Sequence, residues 1–538
     1  MGSAIVCAKC KNSDLNLGNV NIDKTGITKE SSNINIQKFL NDENVTLTAK
    51  GRLIRRLDKK KTTLKFNKSD FIRMKGTSLF DEYDMKDKLG EGAYGCVYKV
   101  QHKVTKYFRA VKAIHRKHVD NTAFSNEIDV LKTVDHPNII KLFDCYYDSS
   151  YFYMVEEYCS GGDLFDYIQR EKSFSEKKAC EIFYQLLSAV NHLHKKKIVH
   201  RDLKPENIVF IETGQNDVFI KLIDFGTSVA IKGKNLTQEL GTIYYIAPEV
   251  FMNNYNEKAD IWSCGIILYT MLCGHPPFCG NREDVIKSKI LHSKLVFPTR
   301  DFKTTSQEAI DFIKLLLTYE QDKRPSAEEA LQNVWITKFQ ENDAKDSRII
   351  AKEIIDCLNK FQATISLQKA TLSFLANQVS INEEIKMLKE EFDKIDLNKD
   401  GEISREELIH CLEVLYPHQE AVIRTEEIFN EIDFNNDGTI NFSEFLTVTI
   451  SKEKLLSEDT LTKAFKMFDV DGNGYITIEE LQETLPLEIT NKSEWVALVK
   501  EVDEDGDCQI SYPEFKEMMD KMTQEQPEIE DKSKKKKK

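Results

Sequence analysis

The sequence predicts a large mixed domain of the α+β class, followed by an all-α domain of four helix–loop–helix repeats. Between Tyr83 and Trp335, strand-like and helical patterns follow one another with short connections, which is typical of a large mixed domain. A chain of 538 residues exceeds what one hydrophobic core usually serves, so two or more domains are expected. Four acidic twelve-residue loops follow at intervals of 37, 36 and 34 residues, beginning at Asp396, Asp433, Asp469 and Asp503.

These patterns divide the chain into five parts. The first is rich in Asn, Lys, Thr and Ser with little periodicity, which indicates a partly disordered extension. The last is an acidic stretch and a run of lysines, which is typical of a solvated tail. The predicted parts are the extension 1–82, the large domain 83–336, an amphipathic junction 337–380, the repeat domain 381–525 and the tail 526–538.

Composition narrows the class of protein. The formal net charge of −13 argues against nucleic acid as the main partner, because binding phosphates needs a basic face. No uncharged apolar run reaches the roughly eighteen residues of a membrane helix, and no secretory pattern is seen, so a cytoplasmic protein is expected. The 12 cysteines are scattered, which favours reduced thiols. Cys7 and Cys10 form a single CxxC motif with no second pair nearby. Because a zinc site needs four ligands, free thiols are favoured.

A glycine-rich segment opens the large domain. Gly90, Gly92, Gly95 and Val97 fit the pattern G-x-G-x-x-G-x-V, in which glycines let backbone amides approach phosphates without a Cβ in the way. Similar spacing also opens dinucleotide-binding folds, so this segment alone leaves both interpretations open.

The residues that follow resolve this ambiguity. Lys112 lies on a short apolar strand, at the position expected for a lysine that holds the α and β phosphates, and Glu127 is its candidate ion-pair partner. Asp202, in the string from His200 to Asn207, is placed to accept a hydroxyl proton. The further candidates are Lys204 for the γ-phosphate, and Asn207 and Asp224 for Mg²⁺.

The stretch from about 83 to 336 therefore resembles the protein kinase family. Further matches are Ala247 to Glu249, Asp260 to Gly265, and Arg324, the expected partner of Glu249. The resemblance implies a two-lobed kinase fold, ATP with Mg²⁺, and protein substrates; Lys204 and Gly241-Thr242 imply serine or threonine as acceptor. The ATP-binding residues that it implies are Leu89, Gly90, Glu91, Gly92, Ala93, Tyr94, Gly95, Val97, Lys112, Glu127, Glu157, Cys159 and Asp163.

Two positions depart from the family pattern. Glu156 stands where a hydrophobic or small gatekeeper is usual, so the back of the adenine pocket should be polar, while Glu157 and Cys159 offer backbone bonds to adenine. The usual phosphorylated position of the activation segment falls on Gln238. We therefore expect activity without phosphorylation there, with Glu239 or a neighbouring group engaging Arg201.

The four acidic loops match the calcium loop of EF-hands. Such a loop supplies side-chain oxygens at positions 1, 3, 5 and 12 and a backbone carbonyl at position 7. An apolar residue at position 8, here isoleucine in every loop, pairs the loops into two lobes through short β contacts. The loops span 396–407, 433–444, 469–480 and 503–514. Their predicted ligands, for up to four ions, are Asp396, Asn398, Asp400, Glu402 and Glu407; Asp433, Asn435, Asp437, Thr439 and Glu444; Asp469, Asp471, Asn473, Tyr475 and Glu480; Asp503, Asp505, Asp507, Gln509 and Glu514.

Loop four has Cys508 where glycine normally forms the tight turn. Holding a residue with a Cβ at positive φ costs about 1 kcal/mol, which corresponds to roughly fivefold to tenfold in affinity. We expect loop four to bind calcium more weakly or with distorted geometry.

A kinase domain, an amphipathic junction and four EF-hands in this order resemble the calcium-dependent protein kinases of plants and apicomplexans. In that family the junction blocks the active site at low calcium, and the loaded lobes capture helices and relieve the block. Here 365–376 has only Lys369 as a basic residue, so occlusion by apolar packing is favoured over substrate mimicry. The alternative is a packing helix with no inhibitory role.

Two other functions are disfavoured. A calcium-binding scaffold with a dead kinase domain conflicts with the complete set Lys112, Glu127, Asp202, Asn207 and Asp224. Control by a separate calmodulin is not needed, since the sensor lies in the same chain.

The N-terminus suggests membrane contact. Met1-Gly2-Ser3 favours myristoylation, although Val6 stands where the motif asks for Ser or Thr, and Cys7 and Cys10 could accept palmitate. With the run Lys534–Lys538 this predicts peripheral contact with membranes by a protein that is otherwise expected to be a cytoplasmic monomer.

Overall fold

The computed structural model describes residues 45–47, 53–55, 68–72, 74–92, 95–119, 121–212, 218–231, 233–343, 352–361, 366–378, 382–485 and 492–521. Some sequence predictions lie outside these residues. They concern Gly2, Cys7 and Cys10 of the extension, Ala93 and Tyr94 of the glycine-rich segment, Ile365 and Val379 of the junction, and the tail 526–538.

The N-terminal lobe is built on one six-stranded sheet. A separate hairpin, β1 (Val45–Leu47) with β2 (Leu53–Arg55), precedes it. The sheet contains β3 (Met74–Lys75), β4 (Tyr83–Glu91), β5 (Gly95–His102), β6 (Phe108–His115), β7 (Leu142–Tyr147) and β8 (Tyr151–Glu157). The strand order is β3-β7-β8-β6-β5-β4, antiparallel except for the pair β3–β7. The sheet thus includes Met74–Lys75, which the sequence analysis assigned to the extension.

Two helices accompany this sheet. The short helix α1 (Leu79–Glu82) leads into β4, and α2 (Asn121–Thr133) packs on the sheet through Phe124, Ile128 and Leu131. The ring of Phe124 stacks on that of Phe152 in β8, with centroids 4.2 Å apart. This contact fixes α2, and with it Glu127, relative to the central strands.

The C-terminal lobe is helical. Its helices are α3 (Leu164–Glu171), α4 (Glu176–Lys195), α5 (Lys258–Cys273), α6 (Glu283–His292), α7 (Gln307–Leu316), α8 (Ala327–Leu331) and α9 (Val334–Asp343). Residues 259–272 of α5 are all buried, as expected for a helix that is apolar on every side. Two short antiparallel pairs lie at the cleft: β9 (Ile198–Val199) with β12 (Val229–Ala230), and β10 (Ile208–Phe210) with β11 (Ile220–Leu222).

The calcium half is a set of four helix–loop–helix units. Its helices are α12 (Asn382–Ile395), α13 (Arg405–Leu412), α14 (His418–Ile432), α15 (Phe442–Thr449), α16 (Lys452–Leu455), α17 (Glu458–Phe468), α18 (Ile478–Thr484), α19 (Lys492–Lys500) and α20 (Tyr512–Asp520). The predicted isoleucine contacts are present. The strand β13 (Glu402–Ile403) pairs with β14 (Ile440–Asn441), and β15 (Tyr475–Ile476) pairs with β16 (Ile510–Ser511).

The predicted junction 337–380 divides between the two halves. Residues 337–343 belong to α9, and Phe339 there packs against the core of the large domain. The later described residues form α10 (Lys352–Lys360) and α11 (Ser366–Gln378), whose buried apolar residues share one hydrophobic core with the EF-hand helices. Phe374 lies 5.0 Å from Phe468 of α17, measured between ring centroids. Phe71, in a 3-10 turn before the sheet, contacts Phe374 from the other side at 6.0 Å.

The structure therefore has the predicted architecture: a domain with a sheet-rich N-terminal lobe and a helical C-terminal lobe, followed by a helical region of helix–loop–helix units. The two halves have separate hydrophobic cores. The core of the large domain includes the buried apolar residues of α4 and α5, whereas the buried apolar residues of α10 and α11 belong to the core of the calcium half.

Candidate active site and calcium loops

A lysine and two carboxylates from three separate elements meet in the cleft. Lys112 lies on β6, opposite Met154 of β8 and Val97 of β5. Its ammonium is 2.7 Å from the carboxylate of Glu127 on α2 and 2.8 Å from that of Asp224. Burial works against the charge of Lys112, but Glu127 and Asp224 outweigh it and raise its pKa. The same pairing offsets the burial of Asp224 and lowers its pKa. The predicted ion pair is present.

The carboxylate of Asp202 is held on both oxygens. Lys204 donates to Oδ2 at 2.6 Å, and Thr242 donates to Oδ1 from its backbone N–H at 2.9 Å and from its hydroxyl at 2.8 Å. The amide nitrogen of Asn207 donates to the Asp202 carbonyl at 2.8 Å. These bonds fix the orientation of Asp202, the predicted base. They hold it next to Lys204, which is predicted to reach the γ-phosphate.

Asp260 stabilises the strained turn before Asp202. Arg201 has a φ of 69°, in the left-handed region that residues with a Cβ rarely adopt. The carboxylate of Asp260 accepts the N–H of His200 at 2.9 Å and that of Arg201 at 3.0 Å, and His194 bonds it at 2.9 Å. Burial works to raise the pKa of Asp260, but the bonds from His194 and His200 lower it overall. Sequence reasoning quoted Asp260 only as part of a motif and missed this role.

The described residues of the glycine-rich segment lie at the end of β4 and the start of β5. The N–H of Gly92 donates to the carbonyl of Gly95 at 2.8 Å. A Cβ on Gly95 would lie 1.9 Å from the carbonyl oxygen of Ala113 in β6, so this glycine is required by close packing of strands. Leu89 is 44% exposed at the end of β4. Gly95 is therefore needed by the sheet, and the role of this segment toward phosphates stays a prediction.

The predicted adenine segment connects the two lobes. Glu157 donates its N–H to the Lys141 carbonyl at 2.9 Å, and its carboxylate pairs with Lys221 at 2.8 Å. Asp163 caps α3, accepting the N–H of Asp166 at 2.8 Å. Burial raises the pKa of the Glu156 carboxyl to about 8, against the opposing charge of Lys112 and with the support of Glu127 and Asp224. The raised pKa favours the protonated form of the acid at the gatekeeper position.

Side-chain contacts hold the activation segment. Glu249 pairs with Arg324 through two bonds of 2.6 and 3.1 Å, the partner that the sequence analysis expected. Arg201 contacts the side chain of Gln238 at 3.2 Å. Glu239 pairs with Lys287 at 3.1 Å and not with Arg201. Of the two options in the sequence prediction, Glu239 or a neighbouring group, the structure therefore shows the neighbour, Gln238.

The oxygen donors in the cleft fit a magnesium ion. Asn207 uses its amide nitrogen in a bond to the backbone, which leaves its amide oxygen for a cation. Asp224 supplies a carboxylate at the end of a strained turn, with φ of 63°. Carboxylate and amide oxygens are the ligands that Mg²⁺ accepts in nucleotide sites.

Each calcium loop ends on a glutamate that also caps the following helix. In every loop the position-12 glutamate forms a capping box with the residue before the helix: Ser404 with Glu407, Asn441 with Glu444, Thr477 with Glu480, and Ser511 with Glu514. Backbone N–H groups of each loop also bond to these glutamates. In all four loops the position-12 glutamate therefore lies against the backbone of its own loop.

The donor sets of the loops fit calcium. In the described part of the chain, acidic oxygens lie within 4.8 Å of one another in loop three, from Asp469, Asp471 and Glu480, and in loop four, from Asp503, Asp505 and Asp507. In loop one, Oδ1 of Asp396 is buried with no donor among the described residues. Burial raises the pKa of Asp396 to about 8. Cys508 of loop four has a φ of 65°, as predicted for a residue in place of glycine.

Comparison with known families supports both halves. A model of the protein kinase domain matches residues 83–336, and a model of the EF-hand domain pair matches residues 385–450 and 458–520. Calcium-dependent protein kinase 4 of Plasmodium berghei (strain Anka) is 38% identical over 468 residues, which are 84% of this chain and 89% of that protein. The chain belongs to the calcium-dependent protein kinase family.

Other relatives agree with this assignment. Calcium-dependent protein kinase 4 of Plasmodium falciparum (isolate 3D7) is also 38% identical, over 84% of this chain and 89% of its own length. Calcium-dependent protein kinase 5 of the same organism is 36% identical, over 84% of this chain and 80% of its own length. This family member is thus a serine/threonine kinase that uses ATP with Mg²⁺ and carries calcium-binding EF-hands, as the sequence analysis predicted.

Sequence reasoning missed the contact between the halves of this kinase. Asn191 and His192 of α4 bond to backbone carbonyls of loop one, and Asp135 accepts the N–H of Ser443 at 3.0 Å. Arg109 of β6 donates to the carbonyl of Gln378 at the end of α11, at 2.7 Å. The buried side of α4 has the periodicity of an ordinary core helix, so the sequence carried no signal for these roles.

Among the described helices, none is long and apolar enough to span a bilayer.

Proposed function

We propose that this kinase transfers the γ-phosphate of ATP to serine and threonine hydroxyls of proteins, and that its junction keeps it inactive until calcium loads its own EF-hands. In the catalytic step Asp202 accepts the proton of the attacking hydroxyl, since Lys204 and Thr242 orient its carboxylate. Lys112 holds the α and β phosphates, and Lys204 contacts the γ-phosphate. A magnesium ion on Asn207 and Asp224 would neutralise charge on the phosphate oxygens.

One observation supports the proposed control by the junction. Ile355 of α10 and Leu372 and Phe374 of α11 are 3%, 2% and 6% exposed inside the core that these helices share with the EF-hands. At the same time the catalytic groups are assembled around Lys112. If the EF-hands did not enclose these helices, their apolar faces would need another surface, and the kinase domain is the neighbour in the chain.

The test is a truncation after about residue 345, which removes the junction and the calcium half. The kinase domain has its own core, so the fragment is expected to fold. We expect the full chain to phosphorylate a generic Ser/Thr peptide only with calcium, and the fragment to do so equally with and without it. A fragment that binds ATP but stays silent without calcium would contradict inhibition by the junction. The Asp202→Asn variant is the control for contaminating activity.

We also propose that the protein acts as a cytoplasmic monomer with peripheral membrane contact. The support is the sequence alone: Gly2, Cys7, Cys10 and the lysine run lie outside the described residues. Mass spectrometry of the N-terminal peptide from the native source, with sedimentation on anionic vesicles, tests this proposal. An unmodified peptide and no sedimentation would contradict it.

A further inference from the structure

Glu156 lies on the face of the sheet that carries Lys112. In the pairing of β6 with β8, Ala110 lies opposite Glu156, two positions before Lys112. Side chains alternate along a strand, and Val111 and Val155 belong to a separate hydrophobic cluster on the other face of the sheet. Glu156 and Lys112 are therefore diagonal neighbours on the cleft side, and such positions lie about 7–8 Å apart, within reach of long side chains.

The carboxyl of Glu156 has no bonded partner of its own. Lys112 is already paired with Glu127 at 2.7 Å and with Asp224 at 2.8 Å. Within the described part of the chain, the Glu156 carboxyl makes no hydrogen bond and no salt bridge. The residue is half-buried, and burial raises the pKa of its carboxyl to about 8. A polar group that has lost water in this way gains free energy when a ligand supplies a hydrogen-bond partner.

The position of Glu156 lies between the two ends of a bound nucleotide. The backbone of Glu157 and Cys159 is expected to contact adenine, and Lys112 is proposed to hold the α and β phosphates. The side chain of Glu157 alternates to the other side of the strand, where its carboxylate pairs with Lys221 at 2.8 Å. Glu156 is therefore the acid of this segment that faces the edge of the base.

The chemistry of adenine suits a carboxyl at this place. Its exocyclic 6-amino group carries two N–H donors, and one backbone carbonyl of the predicted adenine segment accepts only one of them. The carboxyl of Glu156 keeps an acceptor oxygen in either protonation state, so it can take the second donor. A hydrophobic side chain at the same position has no acceptor to offer.

We propose that Glu156 accepts a hydrogen bond from the 6-amino group of ATP and thereby sets the preference of the site for an amino-purine nucleotide. The inference rests on the proposed transfer of phosphate from ATP and names a residue that selects the base. A site built to accept an N–H rejects an analogue that lacks it, because the buried acceptor is then left unpaired. The effect should therefore appear in the affinity for the nucleotide.

The main test compares ATP with purine riboside 5′-triphosphate, which differs from ATP only in lacking the 6-amino group. Both are titrated with Mg²⁺ against the full chain, with calcium and without peptide, by displacement of a fluorescent ATP analogue labelled on the ribose. The ratio of the two affinities is the preference for ATP, and general changes of the site cancel in it. We expect Glu156→Leu to reduce this preference by about fivefold to tenfold relative to the original sequence. An unchanged preference would overturn the proposal.

A conservative variant separates the acceptor from other effects of the substitution. Glu156→Gln keeps an acceptor oxygen and nearly the same volume, so we expect its preference for ATP to stay close to that of the original sequence. A Gln variant that loses the preference as fully as Glu156→Leu would contradict the role of an acceptor. The matched control is Glu320→Leu, which exchanges an exposed acid of the C-terminal lobe for leucine and should leave the preference unchanged.

Peptide phosphorylation by the original sequence is measured in parallel with ATP. An enzyme that binds ATP but phosphorylates no Ser/Thr peptide with calcium present would refute the proposed function. An enzyme that phosphorylates the peptide, but whose preference for ATP is the same in the original sequence and in Glu156→Leu, would refute the role of Glu156 alone.

Discussion

In the cleft of the kinase domain, the carboxylates of Glu127 and Asp224 lie 2.7 and 2.8 Å from one ammonium group, that of Lys112. In calcium loops three and four, three acidic side chains in each loop approach one another within 4.8 Å. Their local partners are mainly backbone N–H groups. The protein thus neutralises Glu127 and Asp224 with its own cation, whereas the acids of the loops need an added one.

This difference has a functional meaning. A cleft that supplies its own counter-charges can hold its geometry at any calcium concentration, because no ion is needed to bring Lys112, Glu127 and Asp224 together. A loop whose acids repel one another changes most when calcium arrives. We therefore expect calcium to act on the loops and on the residues that contact them, while the cleft carries out the phosphoryl transfer.

The largest expected effect separates the two regions. The variant Asp202→Asn removes the proton acceptor, and we expect peptide phosphorylation to fall by about 10²–10⁴-fold. Calcium titration of the same variant should give the same number of ions and the same affinities as the original sequence. A change in calcium binding would contradict the independence of the cleft and the loops that their charge pairing indicates.

The next effect concerns the weakest loop. In Cys508→Gly the turn of loop four no longer holds a Cβ at positive φ, and we expect its calcium affinity to rise roughly fivefold to tenfold. Isothermal titration of the full chain measures this, with Cys411→Ala as the control for loss of a thiol. An unchanged affinity would mean that the strain at φ 65° is relieved in the loop by other means.

A smaller effect is expected at Glu156, an acid in the cleft whose pKa is raised by burial. The pKa of Glu156 is raised from 4.5 to about 8 in the folded protein, so between these values the folded state holds a proton that the unfolded state releases. Its contribution to stability is therefore lost as the pH rises through this window. We expect Glu156→Gln to gain a few degrees in Tm relative to the original sequence at pH 8.5 but not at pH 5. Thermal unfolding measures this, with the exposed Glu320→Gln as control. A gap that does not change with pH would contradict the raised pKa.

The smallest effect lies in the activation segment. Gln238 reaches Arg201 at 3.2 Å from an exposed position, so its hydrogen bond contributes little. We expect Gln238→Ala to change kcat/KM by about threefold or less, which corresponds to less than about 1 kcal/mol. Phosphatase treatment should leave the calcium-stimulated rate unchanged. A phosphatase-treated enzyme that regains activity only on phosphorylation of Thr237 would show that the cleft is not complete by itself.

Sequence reasoning reached the catalytic and calcium residues because each signal is local. The ligands of one calcium loop lie within twelve residues, and their side chains converge for geometric reasons that the spacing carries with it. The ion pair of Lys112 with Glu127 spans only 15 positions and belongs to a known pattern. Roles that depend on partners distant in the sequence were harder to predict. Asp260 acts on Arg201 across 59 positions, and its bonds could not be derived from the residues near it.

By itself, the sequence determined the chemical groups, the order of the two halves and the local shape of each calcium loop, because these depend on residues close together in the chain. Only the tertiary structure decided that loop one is buried on α4 while loops three and four face solvent, and that α10 and α11 lie in the EF-hand core. These choices join residues such as Asn191 and Lys399, 208 positions apart. Four loops with nearly the same sequence can differ in this way because burial and charge depend on the surface that each one meets.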